Sequence, residues 1–176
     1  MFQPGDLVVY GAAGVCRVEE IGCPDSVGAA RDREYYLLKP LQQDGVIYTP
    51  VDSEKAPIRS VISQEEAEAL IDLMPTIRGD IFRAPTVQAL AQRYQAAVRG
   101  GDCRNLVCVM KSIYAKRRQA ESRNRRLGMV DERYMKQAER LLYGELSAAL
   151  GIPFDEVAPY ISRRIHAEQP AEVAGQ

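Results

Sequence analysis

The sequence predicts an α+β chain in which a small N-terminal β domain precedes an all-α domain of about five helices. Two changes along the chain carry this expectation. Up to about residue 60, short apolar runs are separated by turn signals. After Arg59 the apolar period shifts from two to about 3.6. Composition agrees, since 46% hydrophobic and 27% charged residues with a net charge of −1 over 176 residues describe a globular chain. The expected boundaries are 1–60 for the β domain, 61–166 for the helical domain and 167–176 for a flexible tail.

Leu7-Val8-Val9-Tyr10 reads as the first strand, and Gly11-Ala12-Ala13-Gly14 as a tight turn into a second running from Val15 to Ile21. A polar loop extends from Gly22 to about Arg33. Tyr35-Tyr36-Leu37-Leu38 leads through Pro40 to Asp44-Gly45, a strong hairpin signal between two apolar runs. Val46 to Val51 returns from it. Pro50 donates nothing to a ladder, so this strand should be an edge or end there. Short strands at this spacing describe a small barrel of the SH3 or Tudor type.

Ser63-Gln64-Glu65-Glu66 is a capping box that opens a helix carrying Ala67, Leu70, Ile71 and Met74 and stopping before Pro75. Thr76 to Arg83 reads as irregular. A second helix is expected from near Pro85-Thr86 to Gly100-Gly101. Asp102 caps a long third helix with Leu106, Met110, Ile113 and Tyr114 on its inner face, ending near Leu127-Gly128. Asp131 is expected to cap a fourth, with Tyr134, Ala138, Leu141, Leu142, Leu146, Ala149 and Leu150 facing inward, ending at Gly151. A last helical piece, Pro153 to about His166, contains Val157, Tyr160, Ile161 and Ile165.

The same inventory restricts chemistry. No apolar run approaches the ~18 residues of a membrane span, and Met1-Phe2-Gln3-Pro4 shows no secretory signal. Four cysteines at 16, 23, 103 and 108 form neither a CxxC pair nor a disulfide framework, so reduced cytosolic thiols are expected. One histidine, His166, leaves little room for imidazole acid–base work. No enzyme activity is expected. The remaining enzymatic reading rests on Cys103 near a helix N-terminus.

Charge is unevenly placed. Arg104 to Arg126 holds eight basic residues against Glu121, a local charge of +7 in a chain whose remainder carries −8. Arg104, Lys111, Arg118 and Arg125 recur every seven residues, which on a helix drifts only about 20° per heptad and makes a ridge. Such a ridge suits phosphates. It also suits a solvated face paired with acids such as Glu132 or Glu139, and both readings stay open.

Phe2-Gln3-Pro4-Gly5-Asp6-Leu7-Val8-Val9-Tyr10, Gly14-Val15, Tyr36-Leu37-Leu38-Lys39 and Tyr48-Thr49-Pro50-Val51 resemble the N-terminal module of CarD-like bacterial transcription regulators. A similar module occurs in transcription–repair coupling factors. Gly101-Asp102, Lys111-Ser112-Ile113-Tyr114, Asp131-Glu132-Arg133-Tyr134 and Glu139 to Leu146 look like the helical domain of those regulators. The resemblance implies a Tudor-like domain that binds the β subunit of bacterial RNA polymerase by adding an edge strand to a sheet of the β-subunit lobe. Here that strand is Val46, Ile47, Tyr48, Thr49 and Pro50, with Tyr48 where family members carry a basic residue.

The resemblance also implies contact with promoter DNA near the upstream edge of the bubble, where a family Trp wedges into the minor groove. This chain has no Trp; the matching position is Leu90, which serves either as an apolar wedge or as a core residue at helical spacing with Val87 and Tyr94. Basic family positions nearby fall on Gln92 and Gln95. The expected DNA contacts are therefore Arg93, Lys111, Arg118 and Arg125, with Lys116 and Arg117 off that line.

The expectation is a monomeric, cytoplasmic, nucleoid-associated transcription regulator that needs no cofactor and has no membrane partner. It would bind the β subunit and promoter DNA and tune open-complex stability. The rivals are a polymerase-binding module without DNA contact and a free-standing, non-specific nucleic-acid binder.

Overall fold

In the computed structural model the described residues are 1–25, 33–54 and 57–168; most of the expected polar loop after Asp25 and the tail from 169 lie outside them. Five strands, β1 (Leu7–Tyr10), β2 (Gly14–Gly22), β3 (Tyr35–Pro40), β4 (Ile47–Pro50) and β5 (Ile58–Ser60), form one antiparallel sheet in the order β4-β3-β2-β1-β5. The α+β layout read from the sequence is the observed one.

Alternation in the strands puts Val8, Cys16, Val18, Tyr36 and Leu38 on one face, where they form a small core. Phe2 closes its end, its ring edge-on to Tyr36 at 6.2 Å. Burial pushes the Cys16 thiol up to about 11, so Cys16 acts as apolar filler. The register slips by one residue between Val18 and Glu20, a bulge that bends β2. β5 is absent from the sequence reading, because three residues after a proline show no period. It is held by pairing with β1, Val9 opposite Arg59.

Five helices follow: α1 (Gln64–Leu73), α2 (Val87–Val98), α3 (Cys103–Ser122), α4 (Met129–Leu150) and α5 (Val157–Glu168). The capping box forms as expected, Ser63 Oγ accepting from Glu66 N at 3.1 Å and Glu66 accepting from Ser63 N at 2.8 Å. Thr86 and Asp102 cap α2 and α3 through Ala89 N and Asn105 N. Gly151, at φ 66°, closes α4 in the left-handed conformation. Among the described residues no helix is long and apolar enough to cross a membrane.

Three local expectations change. First, α3 stops at Ser122, not near Leu127; Asn124 takes φ 54°, and Arg123 N and Arg125 N both donate to Ala120 O. From Gln119 to Arg126 no large apolar side chain is available to hold another helical turn on the core. Second, α3 buries Cys103, Leu106, Val107, Val109, Ser112 and Ile113, while Met110 is half-buried and Tyr114 is 54% exposed. The stripe is broader because α3 is covered from two sides: by α4 and α2, and by the segment that passes over it at Gly79. A Cβ there would stand 2.6 Å from Lys111 Cβ and 2.7 Å from Ser112 N. Third, Asp131 does not cap α4. Gly128 holds that position, and Asp131 is buried one turn in, accepting from Tyr94 Oη and, at 2.8 Å, from Lys116 Nζ.

The sheet meets the helices through α4 and α3. Gly14 lies so close to α4 that a Cβ would stand 3.2 Å from Leu141 Cδ2. Arg140 reaches from α4 to Ala12 O and Gln43 Oε1. The centre of the joint is Glu145, 1% exposed, which accepts from Arg59 Nη1 at 2.6 Å and Nη2 at 2.8 Å. Ile62 N and Cys103 Sγ donate to the same carboxylate, each at 3.1 Å, and Arg59 also donates to Gly101 O. Three residues, Arg59, Ile62 and Cys103, converge on one buried charge.

Candidate functional site

The residues singled out in the sequence fall on two surfaces. The first is the outer edge of β4. Val51 N donates to Glu34 O at 3.0 Å, which fixes the alternation of the β3–β4 ladder. Thr49 and Ile47 therefore turn their backbone groups toward Tyr36 and Leu38, whereas Tyr48 and Pro50 turn theirs away from β3. Pro50 thus sits where its missing N–H costs the sheet nothing. Among the described residues no strand pairs with this side of β4.

Side chains divide in the same way. Val46 is 57% and Tyr48 38% exposed, while Thr49 is buried and Ile47 packs on the core. Of the five residues expected to bind a partner, Val46, Tyr48 and Pro50 belong to the presented side, and Ile47 and Thr49 hold the strand in place. Arg33 braces its far end, with Nε 2.9 Å and Nη2 3.1 Å from the Asp52 carboxylate oxygens. That donation holds Asp52 below the ordinary carboxylate range.

The second surface is cationic, and the structure rearranges it. Lys111 is not on a ridge: its Nζ turns inward and donates to Met74 O and Ile77 O, capping the end of α1 and the turn after it. Lys116 lies against Asp131 with its Nζ 5.8 Å from the Tyr94 ring. Arg93 donates to Arg83 O and stacks 4.6 Å over the Phe82 ring. Those three cations are structural. Arg117 is half-buried, and Arg118 and Arg125 are exposed. Since α3 ends at Ser122, Arg125 does not continue the line of Arg118.

What replaces the ridge is a cluster. The left-handed turn at Asn124 swings Arg123, Arg125 and Arg126 around a cleft of about 320 Å³ that Arg83 also lines. Three of these arginines belong to the +7 window, where helical spacing spreads them along one element, and Arg83 lies in the segment expected to be irregular. The one acid in the cleft lining, Asp131, is already matched by Lys116. The cleft therefore carries uncompensated positive charge and suits phosphate oxygens, which arginine grips in a bidentate way.

Leu90 is half-buried and packs on the helical core, so the core alternative describes it and it is not held out as a wedge. Beside the arginine cleft, Met129 is 87% exposed, next to the lining residue Gly128. Cys103 donates into Glu145; burial, then the neighbouring carboxylate, push its thiol far above the ordinary range, the reverse of activation by a helix terminus. Among the described residues no three His, Cys, Asp or Glu side chains gather to hold a metal ion.

Residues 2–62 match the family model of the CarD-like/TRCF RID domain, which covers β1 to β5. No curated protein matches the chain.

Proposed function

Proceeding from the CarD-like RNA polymerase-interacting domain at residues 2–62 and its transcription-related role, we propose that the protein docks on the polymerase β subunit through β4 and contacts promoter DNA through its helical domain. The observation that carries this reading is the matched domain bounded at β4 by an outward-facing strand edge that no strand among the described residues pairs with. An added strand would bond to the Tyr48 backbone, a mode in which the main chain supplies affinity and the side chains specificity.

The DNA contact belongs to Arg83, Arg123, Arg125 and Arg126, with Arg118 nearby on α3. Such contacts grip the backbone and carry little sequence information. Polymerase binding turns the DNA encounter into an intramolecular one, so a small cluster suffices. Met129 is the apolar side chain placed to enter the groove beside these arginines, a use to which methionine is put in architectural proteins. The reading requires no cofactor and no catalytic step, and its setting is the cytoplasm.

The test is the lifetime of open promoter complexes with the full-length protein. Arg123→Glu/Arg125→Glu should abolish its effect on that lifetime while leaving polymerase binding intact. An unchanged lifetime overturns the DNA role and favours the second reading, a polymerase-binding module without DNA contact. That second reading has its own support in the intramolecular partners of Arg93, on the surface, and of Lys111 and Lys116, which turn inward.

A further inference from the structure

The outer face of the β domain has a charge order that polymerase docking alone does not explain. Strand register places its residues in rows running across β2, β3 and β4. Arg17 pairs with Lys39, Glu20 with Leu37 and Tyr48, and Gly22 with Tyr35 and Pro50. Continuing the β3–β4 register by one residue sets Val46 opposite Lys39. All of these belong to the face turned away from the core, and Arg17, Lys39 and Glu20 are exposed.

One end of this face is cationic. Arg17 and Lys39 stand directly opposite each other on neighbouring strands, an arrangement that destabilises a sheet. The other end is a slot of about 280 Å³ between Tyr35, Leu37 and Tyr48, with Glu20 and Asp25 on its β2 side. Gly22 adds no side chain, which leaves the slot open. Among the described residues none of Arg17, Lys39, Glu20 and Asp25 forms an ion pair.

A strand added beside β4 extends these rows, because its side chains alternate faces like those of β4. We propose that the accepted strand presents an acidic and a basic side chain two residues apart on this face. The acidic one meets Lys39 and Arg17 in the Val46 row, and the basic one enters the slot across Tyr48 toward Glu20 and Asp25. This rests on the docking reading above and adds the chemistry of the partner.

Each half has a physical warrant. Tyr35 and Tyr48 line the slot together with Glu20 and Asp25, and aromatic rings with nearby carboxylates suit a guanidinium or ammonium group. Neighbouring strands lie about 4.8 Å apart, so Glu20 on β2 is three spacings, roughly 14 Å, from a strand added beside β4, and only a long side chain reaches toward it. Reversing the order would set a partner acid against Glu20 and a partner base against Lys39. The face thus selects its strand by repulsion as well as attraction.

The experiment measures binding of full-length variants to bacterial core RNA polymerase across a salt series, with thermal melts of each variant. Glu20→Lys and Lys39→Glu should each weaken binding by about tenfold, with a shallower salt dependence. Lys39→Glu should at the same time raise the melting temperature or leave it unchanged, because it removes the repulsion with Arg17. Loss of binding with no loss of stability separates a partner contact from a folding defect. If both reversals bind like the parent while Tyr48→Pro, which removes the outward N–H, weakens binding, docking stands and the charge order is wrong. If the parent protein itself does not bind polymerase, the docking reading falls and this inference with it.

Discussion

Glu145 shows how much of this molecule rests on single residues. A buried carboxylate is tolerable only while its donors remain, and here they come from Arg59, Ile62 and Cys103. Arg59→Ala strands that charge and should lower the unfolding free energy by about 3 kcal/mol, read by urea denaturation. A loss well under 1 kcal/mol would show that water reaches Glu145 and replaces the guanidinium. Gly79 is a steric counterpart: its missing Cβ lets the chain lie on the α3 backbone. Gly79→Ala should cost about 1–3 kcal/mol by overpacking, visible as a lower melting temperature. At Asp52 the sign follows from the depressed carboxyl. The stabilisation by Arg33 is complete above the unfolded-state value of about 3.9 and is lost as pH falls through the lower folded-state value. A carboxyl titration of Asp52 by NMR that Arg33→Gln leaves unmoved would remove that assignment.

At the scale of elements, what was legible in the sequence was whatever depends on neighbours along the chain. Ser63 with Glu66, Asp44-Gly45, Asp102 and Gly151 are local signals, and each marks the expected boundary or turn. Pro50 leaves β4 as an edge strand or one ending there, and it is both. The errors share the opposite character. Lys111 caps carbonyls 34 and 37 residues earlier in the chain, and Asp131 is bound by Tyr94 from another helix. β5 exists because β1 has an edge to fill. None of these partnerships leaves a periodic trace. The end of α3 illustrates the functional cost of the error, since extending the helix dissolves the arginine cleft. Asn124→Val should destabilise the left-handed turn by about 1–2 kcal/mol and weaken DNA retention, whereas Asn124→Gly should do neither. A gel-shift titration with polymerase and promoter DNA reads the second effect.

The whole molecule places its two proposed contacts on different bodies, the sheet edge at β4 and the arginine cleft at the α3–α4 turn. The joint between them includes the buried pair of Arg59 and Glu145, the Arg140 contacts and the close approach at Gly14. Arg59→Ala should accordingly reduce the effect on open-complex lifetime more than it reduces affinity for polymerase or for DNA alone. That comparison is made at a temperature where the variant is fully folded. Equal losses in all three assays would mean that the two bodies act independently. The near-neutral net charge of the chain belongs to this scale as well. The proposed attraction to DNA is confined to one corner, so DNA binding should depend on what holds that corner in place rather than on the field of the whole protein.

The joint at Glu145 also has a mechanical meaning. A body gripped by an enzyme at one end and by a nucleic-acid strand at the other is loaded in series when the enzyme moves away. The tension passes through whatever links the two grips. Besides the covalent chain, the Arg140 contacts and the packing at Gly14, that link is a two-pronged ionic clasp whose carboxylate is buried, which resists small excursions stiffly and lets go abruptly once its prongs part. If both proposed grips form, a protein built this way would hold its orientation under thermal jostling yet release under a sustained pull, as a clutch does.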